Sequence, residues 1–222
     1  GSGGTISAHT EPRKIGVSCF GKPEKDIEIR IVGDDGQNTP TSIPGELLIR
    51  RKGPNKEYGF FSGYLKDERA TNDAWANGWF HTGDIVKIDE FGFLYFIDRK
   101  KNIIRRSGEN IAAVEVESIL NRHASIKICA AAAAVDDIRG EEVAVFIILD
   151  KDIDTYDTAI KIVEWALDEM AYYKVPGLIE FVNELPLTAT QKVRRGDLKK
   201  LVKCTQENNG FHDMRSLKRR QL

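Results

Sequence analysis

The sequence predicts an α+β fold in two parts, a β-rich region over residues 13–98 and a small α+β region over residues 99–203. Three observations predict it. Apolar and polar residues alternate in short segments of the first part, apolar residues recur at helical spacing over residues 156–170, and a charged run at residues 98–101 separates the two patterns. A polar segment between two patterned regions is where a domain boundary is expected.

Two strand pairs are predicted in the β-rich region. Residues 27–32 alternate apolar and polar side chains, which is typical of a half-buried strand. A turn signal separates them from residues 47–49, which are predicted to form the partner strand. Residues 85–88 and 93–97 flank Asp-Glu-Phe-Gly, which has the composition of a short hairpin connection. Most of this region is therefore expected to be β-structure.

The second region mixes helices with strands. Residues 114–121 are predicted to form a short helix, and residues 156–170 a longer one that begins at Asp154-Thr155 and ends before Val175-Pro176-Gly177. Strands are predicted for three short apolar segments, residues 130–134, 142–149 and 178–182. The first of these is a run of alanines, which favours a helix by propensity, but its short length and uniform apolarity favour a strand.

The two ends of the chain lack an apolar pattern. Residues 1–12 are interpreted as a leader or a cloning remnant, because they begin with Gly-Ser-Gly-Gly. Residues 204–222 are polar and are predicted to fray as a tail. The basic cluster Lys218-Arg219-Arg220 is accordingly predicted to be solvated.

Composition excludes several classes of protein. The 33 basic residues balance 34 acidic residues, for a net charge of −1, which argues against a dedicated nucleic-acid or membrane-surface binder. The longest apolar run has eight residues, far short of the ~20 that span a bilayer. No signal peptide is visible, and the three cysteines and four histidines lack the spacing of a disulfide framework or a metal site. We therefore expect a cytoplasmic protein.

Three segments carry candidate binding residues, each with a simpler alternative. The carboxylate of Asp84 suits a ribose diol, although a turn aspartate that caps its own backbone has the same pattern. The cations between residues 99 and 106, followed by Ser107-Gly108, suit phosphates, and a solvated basic hairpin is the alternative. Lys192 ends a polar loop and suits a phosphate or carboxylate oxygen, unless it is an ordinary surface lysine.

Taken in order, several segments resemble signature motifs of the adenylate-forming superfamily of acyl-CoA synthetases, luciferases and peptide-synthetase adenylation domains. They are Gly45-Glu46-Leu47, Gly63-Tyr64 with Ala70-Thr71, residues 78–84, residues 98–102, residues 107–110 and residues 188–192. The resemblance covers about residues 13–203. Arg105-Arg106 before Ser-Gly-Glu-Asn also resembles the carnitine/crotonobetaine–CoA ligase branch.

The resemblance implies both a fold and a reaction. Residues 13–98 would form the distal β-rich subdomain of the large adenylation domain, and residues 99–203 its small mobile C-terminal domain. A small carboxylic acid would attack the α-phosphate of ATP, and the thiol of coenzyme A would then displace AMP, with magnesium as a further cofactor. The family's phosphate loop and its aromatic-Gly-x-Thr-Glu segment are absent from the sequence. The fragment alone is therefore expected to be inactive and to bind none of these ligands tightly.

The resemblance also implies a role for each of five residues. Asp84 would hold the ribose hydroxyls, Arg99 would reach the same ribose or a phosphate, and Lys101 would be the hinge between the domains. Gly108 would line the pantetheine tunnel, and Lys192 would be the catalytic lysine between the carboxylate and the α-phosphate. Gln191 stands where the family commonly has glycine. Two alternatives stay open, an adenylation domain that loads a carrier protein and a non-catalytic interaction module.

Overall fold

The structure is a computed structural model that describes residues 6–7, 18–56, 74–151 and 155–218. The motifs at Gly63-Tyr64 and Ala70-Thr71, the cap candidate Asp154, and Arg219-Arg220 lie outside the described residues. The chain divides into an N-terminal unit that ends at Lys101 and a C-terminal unit that begins at Asn102. The assignment of residues 13–98 and 99–203 to two domains of a larger enzyme stays a prediction.

A seven-stranded antiparallel sheet makes up the described part of the N-terminal unit, in the order β1-β2-β7-β6-β4-β3 with β5 paired to β6. The strands are β1 (Ile6–Ser7), β2 (Cys19–Pro23), β3 (Ile27–Val32), β4 (Gly45–Arg51), β5 (Trp75–Ala76), β6 (Trp79–Ile88) and β7 (Leu94–Arg99). The predicted pairing of β3 with β4 is present, with Ile29 opposite Ile49. Ile31, Val86 and Leu94 are among the residues buried on one face of the sheet.

The predicted hairpin between β6 and β7 is also present. Asp89 Oδ1 accepts hydrogen bonds from the backbone N–H groups of Phe91 (3.0 Å) and Phe93 (2.9 Å). Gly92 has φ +81°, a left-handed conformation that glycine adopts without steric cost. The Asp-Glu-Phe-Gly sequence thus forms the turn because its first and last residues supply the capping oxygen and the unusual backbone angle.

The described part of the C-terminal unit is a six-stranded mixed sheet with three helices. Its sheet has the order β13-β12-β11-β8-β9, with β10 antiparallel to β11 and β12 parallel to it. The elements are a 3-10 turn (Lys100–Asn102), β8 (Ile103–Arg106), β9 (Glu109–Ala112), α1 (Ala113–Leu120), β10 (Ile126–Asp136), β11 (Gly140–Leu149), α2 (Tyr156–Glu169), β12 (Leu178–Phe181), α3 (Arg195–Glu207), β13 (His212–Asp213) and a second 3-10 turn (Arg215–Leu217). Among the described residues, no helix is long and apolar enough to cross a membrane.

The alanine run is a strand, as predicted. In β10 the side chains alternate between the two sheet faces, so that Ala131 joins the buried cluster with α1 and α2 while Ala130 and Ala132 join the cluster with α3. Helices therefore cover both faces of this sheet, and the small side chains of β10 let them approach it. Burial against two helical layers outweighs the helix propensity of alanine.

Both predicted helices are present. α1 begins at Ala113 and ends at Leu120, one residue from the predicted limits. α2 begins after Thr155, whose hydroxyl accepts a hydrogen bond from the backbone N–H of Thr158 at 3.1 Å. Ile162 and Ala166 on its apolar side are fully buried. The helical spacing of apolar residues was sufficient to locate α2.

The prediction that the chain frays beyond Lys203 is wrong for residues 204–218. α3 continues to Glu207, and β13 pairs with β12 in an antiparallel register. Met214 is fully buried in the core of the C-terminal unit, and the side chain of Lys218 is fully buried against Glu142. Apolar residues are too sparse in this segment to show a period, so its burial depends on contacts with distant strands.

Candidate functional site

The five predicted site residues lie on both units. Asp84 and Arg99 lie on adjacent strands of the N-terminal unit, and Lys101 is the last residue of that unit. Gly108 and Lys192 lie on two loops of the C-terminal unit. The surroundings of each are described below within its own unit.

Asp84 and Arg99 form a cross-strand pair. They are opposite each other in the register of β6 and β7, and Arg99 Nη1 lies 2.8 Å from Asp84 Oδ1. The same Nη1 donates to the backbone oxygen of Thr82 at 3.3 Å. Partial burial raises the pKa of the Asp84 carboxyl, and the positive charge of Arg99 opposes that shift. Register therefore brings together a carboxylate acceptor and guanidinium donors, a combination that suits a ribose diol beside a phosphate.

A buried glutamate lies on the neighbouring strand. Glu46 on β4 is 6% exposed, and its Oε2 accepts a hydrogen bond from Lys100 Nζ at 2.8 Å. His81 Nδ1 lies 3.3 Å from the same oxygen. Glu46, His81 and Lys100 come from three of the family-like motifs, so the fold of the N-terminal unit joins motifs that are far apart in sequence. The sequence analysis quoted Glu46 within a motif but did not recognise that it is buried.

The close approach of the neighbouring strand explains why the Gly45-Glu46-Leu47 motif begins with glycine. A Cβ atom at Gly45 would lie 2.6 Å from the backbone oxygen of Val32, closer than real Cβ contacts allow. The absence of a side chain lets β4 begin against β3 and places Glu46 at its buried position.

Lys101, the hinge candidate, is exposed in the 3-10 turn. Its role as a hinge stays a prediction.

The Ser107-Gly108 segment is the tip of a tight hairpin between β8 and β9. Ser107 has φ +52° and Gly108 has φ +87°, the two positive angles of a two-residue hairpin turn. No atom lies within 4 Å of the place that a Cβ at Gly108 would occupy. The basic hairpin predicted as the alternative is therefore present, and its tip offers open space along the backbone.

The prediction that the cations of this hairpin are solvated or bind phosphates is wrong for Arg106. Arg105 is exposed, but Arg106 is buried and its Nε lies 3.0 and 2.9 Å from the two carboxylate oxygens of Glu142. Side chains alternate along β8, so consecutive arginines point to opposite faces of the sheet. Arg106 is an internal ion-pair partner rather than a phosphate ligand.

Lys192 lies in a loop that its own backbone closes. Leu187 and Val193 form an isolated β-bridge, and Thr188 Oγ1 accepts a hydrogen bond from the backbone N–H of Lys192 at 3.1 Å. The backbone N–H of Thr188 donates to the Lys192 oxygen at 2.8 Å. The Lys192 side chain is exposed and forms no ion pair with a carboxylate in the described part of the chain. The hydrogen bonds of the loop backbone thus hold Lys192 in place, while its ammonium group is exposed to solvent.

Two further residues anchor the base of this loop, and the sequence analysis missed them. Arg195 Nη1 and Nη2 donate to the two carboxylate oxygens of Glu117 at 2.6 and 2.8 Å. Arg195 Nη1 also donates to the backbone oxygen of Ala131 at 3.0 Å, and the Ala131 N–H donates to Glu117 Oε1 at 2.7 Å. This fork holds the first residue of α3 against β10. An acidic residue on the apolar side of α1 was the signal that could have found it.

The described residues contain no cluster of three or more histidine, cysteine, aspartate or glutamate side chains that could hold a metal ion.

Comparison with known proteins agrees with this arrangement. The family model described as the AMP-binding enzyme C-terminal domain matches residues 115–192. Residues 115–192 therefore form an AMP-binding enzyme C-terminal domain. A 2-succinylbenzoate–CoA ligase from Bacillus mycoides is 35% identical over 198 residues, which cover 89% of this chain and 38% of that protein. The chain thus spans well under half the length of such relatives.

Solved structures of adenylate-forming enzymes share the fold. The o-succinylbenzoate CoA synthetase of Bacillus subtilis in complex with its acyl-adenylate intermediate is 32% identical with a TM-score of 0.65, over 82% of this chain and 35% of that one. An anthranilate CoA ligase in complex with anthranoyl-AMP is 29% identical with a TM-score of 0.66, over 86% and 35%. An amide bond synthetase from Marinactinospora thermotolerans is 26% identical with a TM-score of 0.63, over 83% and 36%. The branch suggested by Arg105-Arg106 stays a prediction.

Gln191, the departure from the family's glycine, yields a test of the loop. Its φ of +61° is left-handed, a conformation that costs an L-residue about 1–2 kcal/mol and glycine almost nothing. We expect Gln191→Gly to leave the free energy of unfolding unchanged or to raise it by up to about 1 kcal/mol, because relief of this strain offsets the entropy that glycine loses. Urea unfolding of both variants checks this. The control Thr190→Gly, at an ordinary φ, should cost about 0.5–1 kcal/mol, and equal losses for the two variants would contradict the strained loop.

Proposed function

We propose that this chain is the C-terminal part of an ATP-dependent, AMP-forming carboxylate–CoA ligase. The observation that carries the proposal is the exposed Lys192, presented on a loop whose base is held by the Arg195–Glu117 fork. The relatives named as 2-succinylbenzoate–CoA ligases support the reaction class. Because the chain spans only part of their length, the acyl substrate of the whole protein is a matter for experiment.

In the first half-reaction, Lys192 is the group that meets the developing charge. As the substrate carboxylate attacks the α-phosphate, negative charge increases on the phosphoryl oxygens. A positioned cation in a site without water stabilises that charge by about 3 kcal/mol, the magnitude known for one preorganised donor. Lys192 suits this role because it forms no ion pair with a carboxylate in the described part of the chain. It can therefore meet the phosphate without first breaking such a pair.

Asp84 and Arg99 are proposed to hold the nucleotide during this step. The Asp84 carboxylate accepts hydrogen bonds from the ribose hydroxyls, and Arg99 donates to the ribose or to a phosphate oxygen. Their 2.8 Å ion pair supports the assignment, since each fixes the orientation of the other before the nucleotide binds. Preorganisation of this kind lowers the entropy cost of binding.

In the second half-reaction, the Gly108 hairpin is proposed to line the path of the thiol arm. The open space beside Gly108 and its positive φ support this role, because a side chain would both strain the turn and narrow that space. The thiolate of coenzyme A attacks the acyl carbon of the acyl-adenylate, the bond to the AMP oxygen breaks, and AMP leaves with the electron pair. Lys192 has no part in this step, since the bond that it assisted has already formed.

The experiment that tests the proposal uses the full-length protein with a panel of carboxylic acids. We expect carboxylate-dependent exchange of pyrophosphate into ATP, followed by an acyl-CoA product seen by mass spectrometry. Acyl transfer to a carrier protein and not to coenzyme A would favour the carrier-loading alternative. If no carboxylic acid supports exchange while ATP and magnesium are saturating, the non-catalytic alternative is the better interpretation.

The hinge assignment has its own variant. Lys101→Pro fixes φ near −65° and removes a backbone N–H, so it restricts rotation at residue 101. We expect it to slow one half-reaction at least about tenfold more than the other, because the two steps need different arrangements of the catalytic groups. Lys101→Ala, which keeps the backbone freedom, is the control and should slow neither selectively. Equal slowing of both steps by Lys101→Pro would contradict a hinge at this residue.

A further inference from the structure

Three charged side chains meet in the interior of the C-terminal unit. Arg106, Glu142 and Lys218 come from β8, β11 and the end of the described chain, and their side chains are 5%, 0% and 0% exposed. Arg106 Nε donates to both Glu142 oxygens, and Lys218 Nζ donates to Glu142 Oε1. The Val143 N–H also donates to Glu142 Oε1, at 2.9 Å. One buried anion thus joins two cations that lie far apart in sequence.

Lys218 is not needed to neutralise this site. Arg106 and Glu142 already form a neutral pair, and burial of a further ion costs several kcal/mol before its new contacts repay it. Desolvation lowers the pKa of Lys218 to about 8, with the Glu142 charge opposing that shift and those of Arg106 and Arg139 adding to it. Because burial of the Lys218 ammonium costs free energy that charge neutrality does not require, we look for a role of its contact with Glu142.

The C-terminal segment, residues 212–218, contacts the part of the unit that surrounds Glu142. A Cβ atom at Gly177 would lie 2.5 Å from Glu142 Cδ, so only glycine leaves room for that carboxylate. The backbone oxygen of Gly177 accepts a hydrogen bond from the Met214 N–H at 2.8 Å, and Arg215 Nη1 lies 3.0 Å from Asp136 Oδ2. The segment is therefore tied to the region of Glu142 through backbone, apolar and ionic contacts.

The other end of the triad is the hairpin that carries Gly108. Arg106 is the last residue of β8, and the register of β8 with β11 is a single pair, Arg106 with Gly140. Close to that pair, Ser107 N–H donates to the Arg139 oxygen at 2.9 Å and Arg105 N–H donates to Glu141 Oε2 at 2.6 Å. Because β8 and β11 share only one pair in their register, the contact of the Arg106 side chain with Glu142 contributes strongly to the position of the hairpin tip.

We propose that Lys218 is a positioning residue for the second half-reaction: through Glu142 and Arg106 it holds the Gly108 hairpin in the place where the thiol arm binds. The inference rests on the proposed function for its chemical consequence, but the mechanical link is a property of this chain alone. Residues 212–218 then belong to the site as the support of one of its loops.

The mechanical link is tested on the 222-residue chain by hydrogen exchange. Lys218→Met keeps the length of the side chain and leaves the neutral pair of Arg106 and Glu142. We expect exchange of the Ser107 amide, which donates to the Arg139 oxygen, and of the Glu109 amide, which lies opposite Arg106 in the hairpin, to become about tenfold faster, because one charge-assisted hydrogen bond is lost and the hairpin opens locally more often. Amides in the middle of β10 and β11 should keep their rates within about twofold.

Lys203→Met is the matched control, because the Lys203 side chain is 80% exposed on α3 and has no contact with the triad. It should change neither set of amides. If Lys218→Met leaves the hairpin amides unchanged, or accelerates all amides of the C-terminal unit alike, the proposal is overturned.

The chemical consequence is tested in the full-length protein. Both Lys218→Met and Arg106→Met leave one buried neutral pair, and each should raise the KM for coenzyme A about tenfold while adenylation stays within about twofold. Equal loss in both half-reactions would reduce Lys218 to a structural role and overturn the inference. A full-length protein that forms no thioester at all overturns the proposed function instead, and the exchange experiment still decides whether Lys218 holds the hairpin.

Discussion

Lys192→Ala in the full-length protein is expected to slow adenylation by about 10²–10³-fold, the cost of removing one preorganised donor from a developing negative charge. Conversion of a supplied acyl-adenylate to the acyl-CoA should stay within about threefold, because an interaction that is absent from a transition state contributes nothing to it. Pyrophosphate exchange measures the first step, and AMP release from the supplied adenylate measures the second. The contrast between the two rates is the signature of the proposed role.

Lys199→Ala is the control for this variant, since Lys199 is an exposed lysine on the neighbouring helix α3. It removes one exposed positive charge and should change neither step. An ordinary surface lysine at position 192 predicts the same lack of effect. If Lys192→Ala slows both half-reactions together while the circular dichroism spectrum is unchanged, Lys192 supports the loop and does not act on the phosphate.

Glu142→Ala is expected to lower the free energy of unfolding of the C-terminal unit by about 3–5 kcal/mol. The substitution leaves Arg106 and Lys218 buried side by side without their shared anion, so that both desolvation and repulsion oppose folding. Hydrogen exchange of the β11 amides under native conditions measures this loss, because those amides exchange through the largest openings of the unit.

Glu164→Ala provides the comparison, as Glu164 is an exposed glutamate on α2. Surface substitutions of this kind change stability by less than about 0.5 kcal/mol. A loss below about 1 kcal/mol for Glu142→Ala would mean that water reaches the two cations, and would contradict the buried triad. Lys218→Met should be far milder than Glu142→Ala, because it removes an excess charge and keeps a neutral pair.

Much of the fold could be predicted because its signals are local. Alternation over residues 27–32 and a continuous apolar run over residues 142–149 predicted strands, and the helical spacing over residues 156–170 predicted α2. The turn at residues 89–92 was predicted from its own composition. Each of these signals depends on residues within a few positions of one another. The alanine run needed one non-local judgement, that burial on both faces would outweigh propensity.

The candidate site divides in the same way. Asp84, Arg99, Gly108 and Lys192 could be named from short motifs, because the chemistry of a carboxylate, a guanidinium, a missing side chain or an ammonium is a property of the residue itself. Their roles stay predictions until the variants are measured. The buried Glu46, with its partner Lys100 54 residues later, was not recognised, because nothing local distinguishes a buried glutamate from an exposed one.

By itself, the sequence determined the α+β class, most of its elements and the resemblance to the adenylate-forming enzymes, because these depend on the periodicity and the order of motifs along the chain. Only the tertiary structure decided which charges are buried. Arg195 reaches Glu117 across 78 residues, and Lys218 reaches Glu142 across 76. A charged side chain is buried at low cost only when a partner of opposite charge lies beside it. In these pairs the two partners are far apart in sequence, so the fold brings them together. For that reason residues 204–218, polar in composition, are an ordered part of the C-terminal unit and not a frayed tail.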